Sequence, residues 1–440
     1  MSDYMFMLES HLGAEQYRVV GEMQKLAWAA GVNLFLTGGA MRDMLGGFPV
    51  RDLDFTVEAS ALKLAKAAAQ KHGAAIVSTD EARKSVELKF PDGVVASLST
   101  AHTETFPKSG GRPQIAPSTI HEDLRSRDFT VNAIALSLNR ASLGLPIDPA
   151  NGVGDIERKE LRAIHNYSFY DDPSRMLRLI RFKVRLGYAI DDRTRLQYEN
   201  AREAEMLNRI SPESLGIELR HIAAEPAAED LMRSLSEEKL IALFSPALEG
   251  AKLNLAGFHK LQKARQMIPF SVDVRMNAMP VFLTVLFEKL NAKERAALVK
   301  NAVLARPEVN AIQRLEAGAK KLEKELKSPK LQKASHLYQL LMKTPGELVL
   351  YLMIYSDQRL VQDRVRNYFQ KYLPMSMEIT DEAVTATGVA PGTPKFQRAK
   401  EEMILTRLDA RPKKPAPEPE PPPPPPMSSF ARGPGPRHSR

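Results

Sequence analysis

The sequence predicts an α+β protein: a small head mixing short strands with helices, a mostly α-helical body, and a disordered proline-rich tail. Three observations carry this. Short β-rich runs alternate with helical patterns over residues 15–165; Leu, Ile and Arg then recur at three- and four-residue spacings; and Pro412 to Arg440 holds 12 of the 31 prolines. The division that follows is 15–165 for the head, 166–260 for a helical neck, 261–411 for a helical body and 412–440 for the tail.

In the head, strands are expected at Val32 to Leu36, Leu53 to Val57, Val86 to Phe90 and Val94 to Leu98, with a helix over Ala61 to Lys71. The body is Lys-rich: Arg314 to Lys343 carries eight Lys and Arg against three Glu, a candidate basic surface. The tail includes the run Pro421 to Pro426 and has little to bury, so polyproline II or disorder is expected. No repeat at a solenoid period is present.

The 440 residues include 62 Lys and Arg and 53 Asp and Glu, a formal charge of +9 that fits an anionic partner. With 43% hydrophobic and 26% charged residues, the composition is that of a globular protein of two or three domains. The absence of cysteine excludes disulfides, thiolate zinc sites, Fe–S clusters and a cysteine nucleophile, and fits a reducing cytosol. The N-terminus lacks a basic segment followed by an apolar one, and apolar runs such as Leu348 to Tyr355 fall short of the ~18 residues of a membrane span. No targeting or anchoring segment is expected.

The most informative stretch is Leu34 to Gly47, in which an apolar run enters Gly38-Gly39 and then a helical pattern containing Arg42-Asp43. Glycines at a helix start leave backbone N–H groups unpaired and no Cβ to obstruct a phosphate. A turn without a ligand is the plainer alternative for Gly-Gly. Just downstream, Asp52 and Asp54 lie two apart on an expected strand, so both leave one face while Leu53 and Phe55 take the other. Two carboxylates held that close repel each other unless a cation lies between them, and hard oxygen donors select Mg²⁺.

Gly38-Gly39-x-x-Arg42-Asp43 followed by Arg51-Asp52-x-Asp54 resembles the signature of the class II tRNA nucleotidyltransferase and bacterial poly(A) polymerase family, within the polymerase β nucleotidyltransferase superfamily. Leu124 to Ala133 is similar to that family's second motif, and Asp148-Pro149-x-x-Gly152-x-x-Asp155 with Leu161-Arg162 to its third. Asp171 to Arg178 resembles the fourth, and Ile210 to Leu219 is a weak version of the fifth.

The resemblance implies a template-independent, Mg²⁺-dependent transfer of C and A from CTP and ATP to tRNA 3′ ends, with pyrophosphate released. Asp52 and Asp54 would be catalytic and hold the metal. Gly38, Gly39, Arg42 and Asp43 would hold the triphosphate; Arg127, Asp128 and Asn132, read as lying on a helix start, would meet ribose and phosphate. Asp172 would accept from the exocyclic amino group of cytosine or adenine while Arg175 donates to the ring nitrogen, a pairing that guanine and uracil fail. The plainer reading makes Asp172 a helix cap before Pro173. Arg178 and Arg181 continue the arginine arc toward triphosphate or RNA, with Arg185 equally suited to a solvated face. The neck would bind nucleotide and RNA, and the basic body would hold RNA through its phosphates. Glu378 to Asp381 and Gly388 to Pro394 resemble the C-terminal segment of the tRNA branch and favour CCA addition. A poly(A) polymerase, an enzyme adding only CC or only A, and a catalytically inactive RNA-binding relative are the competing readings. No membrane contact is expected, and protein partners are not specified.

The sequence departs from the family pattern in three places. Ser97 stands where the family usually has a third acidic residue, with His102 at the arginine five residues on. Glu104 follows, but an offset of seven from Ser97 would turn it to the opposite face of a regular strand. Glu213-Ser214-Leu215 stands for Glu-Arg-Ile in the fifth motif, and Ala59 replaces a common glycine.

Overall fold

The computed structural model describes residues 3–269 and 276–410; the proline-rich segment 412–440 lies outside them. The head is built on strands β1 (Leu34–Thr37), β2 (Leu53–Val57), β3 (Ala75–Asp80), β4 (Ser85–Lys89), β5 (Val95–Thr100), β6 (His102–Thr105), β7 (Gln114–Pro117), β8 (Ala135–Ser137) and β9 (Pro146–Ile147). Seven of these form one sheet in the order β3-β4-β5-β2-β1-β8-β9, while β6 and β7 pair as a separate hairpin. Within the large sheet β2 and β5 run parallel, and the other neighbouring pairs are antiparallel.

Side-chain alternation gives this sheet two unlike faces. Leu34, Leu36, Leu53, Phe55, Val57, Ala96 and Leu98 are buried in the main core, together with apolar residues of helices α1 (Asp3–His11), α2 (Ala14–Ala30) and, after α3 (Gly38–Leu45), α4 (Ala61–His72). Each fully buried Leu or Phe stabilises the fold by about 1.5–3 kcal/mol. The opposite face presents Thr37, Asp54, Thr56, Ser97 and Ser99, and its apolar part packs Phe35 against Ile120 and Leu124 of α5 (Ile120–Ser126). The polar face therefore sits on a rigid, one-sided core.

From α6 (Gly152–Arg158) onward the chain is mostly helical. Asp148 starts α6 by accepting from the backbone N–H of Gly152 at 2.7 Å and of Val153 at 2.9 Å. Beyond α7 (Ser168–Asp171) come α8 (Arg175–Leu186), α9 (Asp192–Glu203) and α10 (Pro212–Ala224). Helix α10 begins with the Ser211 hydroxyl accepting from Ser214 N–H at 3.1 Å and with Pro212 in its first turn, both sequence-readable start signals. The other side of α10 meets the body. A Cβ on Gly216 would collide with the Ala302 carbonyl, and Arg220 makes two 2.7 Å hydrogen bonds to Glu308. The main core continues from Met5 to Ile354, and a second one gathers Leu322, Leu326, Tyr338, Leu341, Phe369 and Leu408 in the C-terminal helices. All eight basic residues between Arg314 and Lys343 are exposed.

Candidate active site

A cavity of about 550 Å³ lies between the polar face of the sheet and helices α8 and α10. Its wall brings together Gly38, Gly39, Arg42, Asp43, Asp52, Asp54, Arg127, Asp128, Asn132, Asp172, Arg175, Arg178 and Arg181, residues spread over more than 140 positions of sequence.

The glycine turn meets the carboxylates directly. Gly38 has φ +62°, and a Cβ there would lie 3.1 Å from the Arg127 guanidinium and 3.5 Å from Asp54 Oδ2. A Cβ on Gly39 would lie 3.2 Å from the same oxygen. The two amides are not the vacant donors expected from sequence: Gly38 N–H donates to the Ile134 carbonyl at 3.3 Å, and Gly39 N–H to Asp54 Oδ2 at 3.3 Å. Proximity of sheet and turn has already used them. Asp52 precedes the first residue of β2, and Asp54 lies within that strand. Loss of hydration in the cleft, then the charge of Asp54, pushes the Asp52 carboxyl above its usual range.

Opposite them runs a closed circuit of polar side chains. Arg42 donates to Asn132 Oδ1 at 2.6 Å, and Asn132 donates to Asp128 Oδ1 at 2.9 Å. Asp128 pairs with Arg178 at 2.7 Å; Glu218 then bridges Arg178 at 3.9 Å and Arg181 at 3.2 Å. Glu225 links Arg181 at 3.3 Å to Arg185 at 3.8 Å, and Asp43 closes the circuit with 2.7 Å contacts to both Arg185 and Arg42. Against the effect of burial, Arg181, His221 and Arg178 hold the Glu218 carboxyl at about 2, and Arg178 with Asn132 holds Asp128 below its usual range. Arg185 is thus a paired member of this wall and not a solvated residue, because α8 turns it onto Asp43. Asp128 and Asn132 do touch, but on no helix start: α5 ends at Ser126, and Asn132 closes a single 3₁₀ turn. That turn is braced by the third motif, where Asp155 accepts from Thr130 Oγ1 at 2.6 Å and from Arg162 Nε at 2.9 Å.

Asp172 and Arg175 are held in a fixed relation. Asp172 Oδ1 accepts from the N–H and hydroxyl of Ser174 at 3.0 and 2.6 Å, so it shapes the turn before α8. Its Oδ2 lies 3.9 Å from Arg175 Nε. Arg175 in turn donates to Ser168 Oγ at 2.9 Å and to the Ser126 carbonyl at 3.3 Å, which leaves further guanidinium N–H groups available.

Ser97 lies where the sequence puts it, on a strand beside the carboxylates, whereas Glu104 departs from expectation. Ser97 is in register with Asp54 across the β2–β5 pair and donates to Asp54 Oδ1 at 2.7 Å. Glu104 does not face away: the chain breaks at Ala101, β6 pairs with β7, and Glu104 lines the cavity 3.9 Å from Arg175. Against burial, His102 and Arg175 hold the Glu104 carboxyl below its usual range. Arg83, Asp123, Glu218 and His221 also line the cavity. Local signals exist for three of them: Asp123 lies four residues before Arg127, with which it pairs at 2.9 Å, and Glu218 lies three before His221, with which it pairs at 3.5 Å.

Residues 34–162 match the family described as the poly A polymerase head domain. An A-adding tRNA nucleotidyltransferase of Aquifex aeolicus (strain VF5) is 27% identical over 345 residues, covering 77% of this chain and 40% of that protein. A CC-adding tRNA nucleotidyltransferase of Deinococcus radiodurans is 39% identical over 153 residues, covering 35% of this chain and 41% of that protein. The chain spans less than half the length of these two curated relatives. A solved CCA-adding enzyme in an apo form has 25% identity and a TM-score of 0.56, with 94% of this chain and 96% of that chain covered. The family match runs from β1 past α6, over the sheet and both carboxylates. Over these residues the chain is similar to the poly A polymerase head domain, and over longer stretches it is similar to tRNA nucleotidyltransferases.

Nucleotidyltransferases of this kind are metal-dependent, and the donor set fits a divalent cation. Eight carboxylates line the cavity. Asp43, Glu104, Asp123, Asp128, Asp172 and Glu218 each pair with an arginine. Asp52 and Asp54 are the two with no ion-pair partner among the described residues, and they stand side by side. Among those residues no group of three acidic, His or Cys side chains gathers at one point, so the remaining ligands would be water and phosphate oxygens.

Proposed function

We propose that this protein adds C and A residues from CTP and ATP to the 3′ ends of tRNA, completing or repairing the CCA terminus. The observation that carries this reading is the contrast within one cavity: two adjacent carboxylates without counter-ions face a fixed Asp172–Arg175 pair. Asp52 and Asp54 would hold Mg²⁺, which would supply a lower pKa for the RNA 3′ hydroxyl and draw charge from the α-phosphate. Gly38 and Gly39 give the triphosphate close access to the sheet, and Arg42 and Asp43 fix the floor beneath it. Arg127, Asp128 and Asn132 orient the ribose and phosphates. Asp172 Oδ2 accepts from the amino group of cytosine or adenine, and an Arg175 N–H donates to the adjacent ring nitrogen. Arg178 and Arg181 keep the reading face rigid and add positive potential. Residues 15–165 serve as catalytic head, 166–260 as the neck that reads the base, and 261–411 as the body that holds the RNA, in the reducing cytosol that a cysteine-free chain fits.

A narrower product range is the second reading. Its support is that both an A-adding and a CC-adding enzyme are among the similar proteins. One experiment separates the readings: purified protein is incubated with tRNA lacking its 3′ end, Mg²⁺ and each labelled triphosphate singly and together. Incorporation of both CTP and ATP followed by a stop supports CCA addition. One nucleotide type alone supports a split enzyme, long A tails support poly(A) synthesis, and no product refutes the enzymatic reading.

A further inference from the structure

We propose that Ser97 is a positioning residue that aims Asp54 at its cation and leaves the cation site built on two carboxylates. The inference rests on the metal-dependent reading above. Parallel pairing of β2 with β5 sets Asp54 opposite Ser97 on the cavity face, and the hydroxyl donates to Asp54 Oδ1 at 2.7 Å. Gly39 N–H donates to Oδ2 at 3.3 Å. Each carboxylate oxygen therefore carries one protein hydrogen bond and keeps a lone pair for a cation. The plane of the carboxylate is set before any ion arrives.

Other hydroxyls of the same sheet face bond among themselves. Thr37 Oγ1 and Thr56 Oγ1 lie 3.0 Å apart, Thr56 Oγ1 is 3.4 Å from Ser99 Oγ, and Arg127 donates to Thr56 Oγ1 at 3.3 Å. Ser97 is the member of this hydroxyl face that reaches a carboxylate. A neutral donor here orients Asp54 without contributing a third negative charge, so the cation is held weakly by the protein alone and more firmly once triphosphate oxygens complete its shell.

The test uses Mn²⁺ as a paramagnetic probe on the full chain, with free ion read by electron paramagnetic resonance in the presence and absence of CTP. Removing a group that orients a ligand typically costs about 10–100-fold in metal affinity or activity. Ser97→Ala is accordingly expected to weaken Mn²⁺ binding by about tenfold and to lower kcat with KM for CTP unchanged. Ser97→Thr, which keeps the hydroxyl, should stay within about twofold of the parent, and Ser97→Asp should tighten Mn²⁺ binding in the absence of CTP. Thermal melting establishes that each variant is folded. Parent-like Mn²⁺ affinity and kcat in folded Ser97→Ala would overturn the proposal, as would a Ser97→Thr variant as impaired as Ser97→Ala. Failure of the parent protein to incorporate nucleotide would count against the enzymatic reading and leave the Mn²⁺ comparison to decide the role of Ser97.

Discussion

The two walls of the cavity solve the problem of charge in opposite ways. On the helical wall, Arg178, Arg181 and Arg185 are interleaved with Asp128, Glu218, Glu225 and Asp43, so nearly every charge is answered by the protein itself. On the sheet wall, Asp54 accepts from the Gly39 amide and the Ser97 hydroxyl, and the charges of Arg185 and Arg51 reach Asp52 without forming an ion pair with it. A self-neutralised wall is rigid and suited to reading the shape and hydrogen-bond edge of a base. A wall with two carboxylates outside any ion pair is suited to importing a cation, and a triphosphate is the natural carrier of one.

The largest effect is expected at the sheet wall. Asp52→Ala should reduce nucleotide incorporation to background while leaving tRNA affinity, measured by filter binding, essentially unchanged. At the helical wall the expected loss is of stability: Glu218→Gln leaves Arg178 and Arg181 without their shared carboxylate, and breaking a buried pair costs about 3 kcal/mol, readable by urea unfolding. Glu218 also sets an acid limb. Its carboxyl is held at about 2 against an ordinary 4.5, so its contribution is complete above pH 4.5 and is lost as pH falls toward 2. The Gln variant should show a flatter stability profile across that window. A smaller and more selective effect is expected from Arg175→Ala, which should erode discrimination against UTP and GTP by about 1–3 kcal/mol while changing tRNA binding little, checked by competition between labelled triphosphates. Least of all, Lys320→Ala with Lys321→Ala and Lys324→Ala should weaken tRNA binding regardless of sequence. The log–log salt dependence should flatten by about one unit for each phosphate that is no longer neutralised.

Most of the sheet wall is legible in the sequence because its signals are local. The four strands expected in the head appear within two residues of their predicted ends, and the helix expected over Ala61 to Lys71 spans Ala61–His72. The Asp-x-Asp spacing places both carboxylates toward one cavity. The helical wall is harder to read because its partners are distant in sequence. Asp43 and Arg185 are 142 residues apart, and Arg42 and Asn132 are 90 apart, so no spacing rule connects them. Glu104 escapes the expected face because regular alternation does not extend through Ala101, where the chain leaves the large sheet for the β6–β7 hairpin. The glycine amides depart from expectation for a related reason: the Ile134 carbonyl that takes the Gly38 N–H comes from a segment about a hundred residues away.

On this reading Asp52 and Asp54 jointly hold a cation beside the turn that receives the triphosphate. Crystals soaked with MgCl₂ and CTP test it directly. The expected result is an ion coordinated by both carboxylates and by phosphate oxygens, with the cytosine amino group against Asp172. An occupied nucleotide with the two carboxylates turned apart and no ion between them would contradict it.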